Sequence, residues 1–175
     1  MVSHIGDHVE RVVKLAIFIA EKENANVEIV KKAAELHDIA RDKPNHAIVG
    51  ARIAEKILKG QGYDEEFIKA VKHCIESHSF SSPIQPKTLE AKILSDADKI
   101  DAIGAVGIAR AFLFSGENSR NIEETLNHFE EKLLKLKDSL YTKTAKLIAE
   151  GRHKFLLEFY NRLKMELKLE DLSLI

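Results

Sequence analysis

Eight histidines occur in this 175-residue chain, which has one cysteine and no tryptophan. Helical spacing decides which imidazoles can face inward. His8 lies four residues before Val12, and His37 follows Ala33 and Ala34 by four and three positions. His46 begins the stripe of Val49, Gly50 and Ile53, and His78 follows Ile75 and Val71 by three and seven. Four separate helices thus aim a histidine at the interior. Carboxylates join them: Asp38 adjoins His37, and Asp98 and Asp101 share a face with Leu94, Ala97 and Ile108. A buried carboxylate without a partner costs several kcal/mol, so this set needs a strong counter-charge, and a divalent cation would supply one. Mixed imidazole and carboxylate donors suit a first-row transition ion, Mn, Fe, Ni, Co or Zn, over Mg or Ca. A lone inward histidine is more often a hydrogen-bonded core residue, and a His-Asp dipeptide alone carries little. The constellation carries the argument. Asp96 lies two residues before Asp98, about 200° away around an ideal helix, so only one of the pair can face the cluster, and Asp98 is chosen. His73 has Lys69, Glu76 and Ser77 as helical neighbours and falls on the wetter side, while His4, His128 and His153 default to solvent or structural roles.

Holding these side chains requires helices, and the apolar spacing supplies them nearly everywhere, with no run of alternating β-branched residues long enough for a strand. An all-α fold is expected. Helix one carries Val9, Val12, Val13, Ala16, Ile17 and Ala20; after Asn24 and Asn26, helix two carries Val27, Val30, Ala33 and Ala34 and continues past His37 until Asp42-Lys43-Pro44 break it. Helix three starts near Asn45 and stops at Gly60-Gln61-Gly62. Helix four runs from an Asp64 N-cap to about Ser79. Residues 79–86 form the clearest loop and are placed to shape a pocket. Helix five begins near Lys87 and bends or restarts around Gly104 and Gly107. Beyond Gly116, a heptad-like seam of Ile122, Leu126, Phe129, Leu133, Leu136 and Leu140 and a final helix from about Thr142 to Lys168 form a hairpin. It packs on the bundle or on a second subunit, which would make a homodimer.

Length favours one domain, residues 1–175, divided into a metal-binding part (1–116) and C-terminal helices (117–175) packed on it. With 45% hydrophobic residues the chain can bury a core. Twenty-seven basic against 28 acidic residues leave no excess of positive charge to advertise a nucleic-acid polymer or a membrane surface. The single cysteine cannot form an internal disulfide, the start MVSHIGDHVERV has no apolar signal core, and no apolar stretch approaches membrane-spanning length, so a cytoplasmic protein is expected.

The motifs resemble the HD-domain metal-dependent phosphohydrolases, whose signature is an early His, a His-Asp pair and a distant Asp. Those positions match His8 in GDHVERV, His37-Asp38 in AAELHDIAR and Asp98 in LSDADKID. NHAIVGARIAEKIL and CIESHSF are similar to the two further histidine positions of dinuclear members, which makes His46 and His78 candidates for a second metal or for substrate. DADKIDAIGAVGIARAF, HFEEKLLKL and TAKLIAEGRHKF extend the similarity over nearly the whole chain, to a branch of small stand-alone HD hydrolases. The resemblance implies a helical HD-type bundle and hydrolysis of a nucleotide or small phosphorylated metabolite. Nucleoside triphosphates cleaved to monophosphate and pyrophosphate are among the substrates proposed for that branch. Three and four residues after the aspartate of the pair, where guanosine-polyphosphate hydrolases carry two acids, this chain has Arg41 and Asp42, which speaks against that substrate.

In this reading His8, His37, Asp38 and Asp98 hold a cation that acidifies water and offsets phosphoryl charge. Asp101, one turn from Asp98, is the first candidate base and Asp42 the second. Arg41, Lys99, Arg110 and Arg152 are the candidate phosphate contacts. A different class of reading, a non-catalytic metal- or nucleotide-binding module that recruits a partner through the C-terminal seam, uses the same ligands.

Overall fold

The structure, a computed structural model, describes residues 7–174, so His4 lies outside the described residues. Eight α-helices and short 3₁₀ turns account for the architecture, and there is no strand among the described residues. The order is α1 (Asp7–Glu23), α2 (Val27–Leu36), α3 (His46–Gly60), α4 (Glu65–Ser77), α5 (Leu89–Asp101), α6 (Gly104–Glu117), α7 (Ile122–Glu131) and α8 (Lys143–Leu167). Side-chain caps set several starts: Asn26 accepts from the amides of Glu28 and Ile29, Asp64 from Phe67, Thr88 from Ala91, and Thr142 from Ala145. Each satisfies an amide that the first turn would otherwise orphan.

α5 is the axle of the fold, packing against α1, α2, α4, α6 and α8. Nine of its thirteen residues are buried, and they fall on every side of the helix. Apolar residues and the polar ones described below share that burial. The α5–α6 corner depends on two glycines. Gly104 has φ +74°, a left-handed conformation that side chains disfavour. A Cβ on Gly107 would lie 2.2 Å from the carbonyl oxygen of Ala102. The restart expected at this point is therefore a sharp corner between two helices.

Two boundaries differ from expectation. α2 ends at Leu36, and His37 and Asp38 occupy a run of tight turns with hydrogen bonds from the Ile39 amide to Leu36 and from Arg41 to Asp38. The C-terminal seam is also not one helix. α7 stops at Glu131, and two 3₁₀ turns, Leu133–Lys135 and Lys137–Ser139, carry its continuation. Because a 3₁₀ turn repeats every three residues, the seam spacing survives the change of helix type. Leu126, Phe129, Leu133, Leu136 and Leu140 all enter the core of this same chain, whereas Ile122 is exposed. On α8 the buried stripe is Ala145, Ala149, Leu156 and Tyr160, while Leu147 and Phe155 face outward. No helix among the described residues is long and apolar enough to cross a membrane.

Candidate functional site

The expected histidines do converge. His8 comes from the first turn of α1, His37 and Asp38 from the turn after α2, His78 from the end of α4 and Asp98 from α5. Three imidazoles are held by the same device, in which Nδ1–H donates to a fixed acceptor and Nε2 is left pointing at the cluster. His8 donates to Asp101 Oδ2 at 2.8 Å, His37 to the Ala34 carbonyl at 2.8 Å, and His78 to the Ile75 carbonyl at 2.6 Å. Donation from one ring nitrogen fixes the tautomer and makes the other a lone-pair donor, the usual support of metal-binding histidine. His8 Nε2 lies 3.4 Å from His37 Nε2, 3.4 Å from Asp98 Oδ1 and 3.6 Å from Asp38 Oδ2; His78 Nε2 lies 3.9 Å from Asp38 Oδ1.

Two overlapping sets, His8-His37-Asp98 and His37-Asp38-His78, each bring three donor atoms within 4.8 Å of one another. Both oxygens of Asp38 and Nε2 of His78 are buried without a hydrogen bond among the described residues. Buried polar atoms in native proteins are almost always satisfied, so this orphaned set fits a cation-binding site better than a packed core. Burial alone would raise Asp98, but the close approach of the His8 ring and the neighbouring imidazoles of His78 and His37 hold it well below the usual carboxylate range. Burial pushes His78 down to about 4, which keeps it neutral and available as a donor.

Asp101 is placed otherwise than a base requires. Fully buried, it accepts from His8 Nδ1, from Arg11 Nε at 2.6 Å and Nη2 at 3.1 Å, and from Arg110 Nη1 at 2.6 Å. Burial works against ionisation, but these partners bring its pKa down to about 2. Such a group orients His8 and has no proton affinity to spare near neutral pH. Asp42, the second candidate base, is two-thirds exposed and paired with Lys43. Asp96 turns away from the cluster, as the helical angle predicts: Oδ1 accepts from the Tyr141 amide at 2.9 Å, and Oδ2 from the Thr142 amide at 2.8 Å and hydroxyl at 2.7 Å. His46 sits half-buried beside the cluster, its ring centroid 5.4 Å from that of His78, with Nε2 accepting from Arg41 Nη1 at 3.2 Å.

A cavity of about 260 Å³ opens over His8 and Asp98. Of the expected cations, Arg41, Lys99 and Arg110 line it. Arg152 does not: its guanidinium donates to the Ile100 carbonyl at 2.8 Å, and its stem packs by Gly104, so it braces the α5–α6 corner. Sequence reasoning missed Arg120, His128 and Lys132, which complete the wall together with Phe80 and Phe114. Lys132 is pulled down by burial and raised by Asp98. Its place beneath the cavity follows from the chain turning at Glu131, which spacing within one helix does not reveal. His73, expected on the wetter side, is partly buried and braces the loop, with Nε2 accepting from the Lys87 amide at 3.0 Å.

Comparison with known proteins agrees with this geometry. Residues 5–103 match the HD domain family. An uncharacterised Bacillus subtilis protein, YpgQ, is 39% identical, over 94% of this chain and 84% of its own. The crystal structure of YpgQ in complex with ADP superposes with a TM-score of 0.81 at 38% identity, covering 94% of this chain and 90% of that one. A Bacillus thuringiensis structure described as an HD-superfamily hydrolase gives a TM-score of 0.72 at 36% identity, covering 92% and 85%. The chain, with its converging His, His-Asp and Asp side chains, belongs to the HD-domain family.

Proposed function

We propose that this protein is a metal-dependent phosphohydrolase acting on a nucleotide or another small phosphorylated metabolite, with cleavage of a nucleoside triphosphate to monophosphate and pyrophosphate as its specific form. The observation that carries the reading is the juxtaposition of an orphaned His/Asp cluster with a cation-lined cavity. His8, His37, Asp38 and Asp98 would hold the first ion; His78, beside Asp38, and His46, at the edge, are the donors left for a second ion or for substrate. Imidazole and carboxylate together favour Mn, Fe, Ni, Co or Zn. Bound there, such a cation supplies neutralisation of charge on a phosphoryl oxygen and acidification of water.

The remaining work belongs to the side chains. Arg41, Arg110, Arg120 and Lys132 stand around the cavity as charged donors for phosphate oxygens, and Arg can present two parallel N–H groups to one phosphate. With 27 basic against 28 acidic residues in the whole chain, attraction for polyanions must come from a local cluster of cations such as this one. The cavity volume is near the lower end of small-molecule pockets, about 300 Å³, which suits a phosphate chain with part of its ester. The ADP held by the Bacillus subtilis relative supports a nucleotide. The test is release of phosphate or pyrophosphate from a panel of nucleoside di- and triphosphates and sugar phosphates with each of the five metals. Expected is a metal-dependent product that EDTA and Asp38→Asn both abolish. A folded protein that binds nucleotide but releases no product with any metal would instead be a binding module.

A further inference from the structure

We infer that a second cavity, adjoining the first at Phe80 and Lys99, receives the nucleobase and sugar of the nucleotide, and that it favours a base bearing an exocyclic amine. The inference rests on the proposed function for where the phosphates lie. This cavity, about 190 Å³, lies between the loop after α4, the middle of α5 and the segment leading into α8. Ser79, Phe80 and Lys99 line both spaces, so a single ligand can run from one into the other.

The two linings differ in chemistry. Around the first cavity stand Arg41, Arg110, Arg120 and Lys132; none of these lines the second. Its polar groups are mainly serine hydroxyls whose protons are already committed. Ser77 donates to the His73 carbonyl at 2.6 Å, Ser82 to Glu76 at 2.7 Å, Ser95 to His78 at 3.0 Å and Ser139 to Leu136 at 2.8 Å. A serine hydroxyl has one proton and two lone pairs, so toward a ligand these oxygens can only accept. The Tyr141 hydroxyl likewise donates to Gln85 Oε1 at 3.4 Å. Lys99 donates to the Ser139 carbonyl at 2.9 Å, with its ammonium 4.6 Å from the centre of the Tyr141 ring. Lys99, held by the Ser139 carbonyl, is the one cation of this lining among the described residues, and Gln85 and Ser79 add donors. The four committed serines and the Tyr141 oxygen still leave it richer in acceptors and poorer in positive charge than the first cavity. That balance favours the N–H and O–H groups that an amino-purine, an amino-pyrimidine and a ribose offer. Phe80, 45% exposed at the shared wall, presents a ring face on which a base can stack.

The test is equilibrium binding by calorimetry, with ADP, purine riboside diphosphate (the same molecule without the exocyclic amine) and inorganic pyrophosphate as probes. The wild type is compared with Ser139→Phe, which fills the cavity, and with Tyr141→Ala, whose exposed ring can be removed without opening the core. The wild type is expected to bind ADP at least tenfold more tightly than either other probe, the worth of one well-made hydrogen bond. In both variants the ratio of ADP to pyrophosphate affinity should fall by about tenfold. If Ser139→Phe does not fold, Tyr141→Ala decides. Equal affinity for ADP and purine riboside diphosphate, or an unchanged ratio in Tyr141→Ala, overturns the inference while leaving the phosphohydrolase intact. Binding of neither ADP nor pyrophosphate overturns the proposed function, and this inference with it.

Discussion

Replacing Asp101 by asparagine isolates the contribution of a residue that never meets the substrate cavity. Four donors converge on its two oxygens: His8, two nitrogens of Arg11, and Arg110. An amide offers one oxygen and one NH₂, so at least one donor then faces another donor. If that donor is His8, the imidazole must shift its proton to Nε2, the atom that looks at His37 and Asp98. Loss of such an outer partner weakens metal binding about 10- to 100-fold, or about 1.4–2.7 kcal/mol. Stability should fall as well, by up to about 3–5 kcal/mol, because Arg11 and the partly buried Arg110 lose the charge of the buried carboxylate they share. The assay is Ni²⁺ or Co²⁺ titration by calorimetry, below the melting temperature of the variant, together with ¹⁵N NMR of the His8 ring. Metal affinity within threefold of wild type and an unchanged Nδ1–H tautomer, in a folded variant, would refute the reasoning.

Lys132→Ala should weaken nucleotide binding about tenfold, read from the dissociation constant, because it removes a charged donor worth about 1.5–3 kcal/mol from the cavity wall while sparing the metal donors; an unchanged constant would put phosphate elsewhere. Gly107→Ala should cost about 1–3 kcal/mol or more, since its Cβ would sit 2.2 Å from a main-chain oxygen; a melting temperature equal to wild type would contradict the α5–α6 corner. Metal-free protein should lose stability as pH falls from 6.5 toward 4: His78 titrates near 4 when folded against 6.5 when unfolded, so only the unfolded chain gains the proton in that window, at a cost of up to about 3 kcal/mol. Asp101 extends the loss at lower pH, between its ordinary value of 3.8 and about 2. Chemical denaturation midpoints that stay flat from pH 6.5 to 4 would count against a neutral buried His78.

Helical periodicity is a local rule, and the features it captured are local. It placed His8, His78 and Asp98 inward and separated Asp98 from Asp96 by the angle between them. His37 was found inward for a partly mistaken reason, since α2 ends one residue earlier and the following tight turns approximate a helical path. Asp101 illustrates the opposite failure: facing the same way as Asp98 put it near the ligands, but only three-dimensional packing brings Arg11 and Arg110 onto it. Arg152 likewise lies near the site in sequence terms but reaches a main-chain carbonyl. Arg120, His128 and Lys132 enter the cavity only because the chain turns back after α6 and packs α7 against it. Nothing in their local spacing distinguishes them from solvated surface residues.

Asp96 carries a consequence for where this protein can be divided. The match to the HD domain ends at residue 103, yet the carboxylate of Asp96 is sealed by the amides of Tyr141 and Thr142, far downstream. Thr142 also caps α8, so one acidic group anchors the helix that closes over the axle. An excised fragment stopping at residue 103 would strand that carboxylate in an apolar trench and bare one flank of α5, at a cost of several kcal/mol from the charge alone. The segment that bears the His/Asp cluster is therefore not an autonomous module, and swapping it between relatives would have to carry the Tyr141-Thr142 latch along with it.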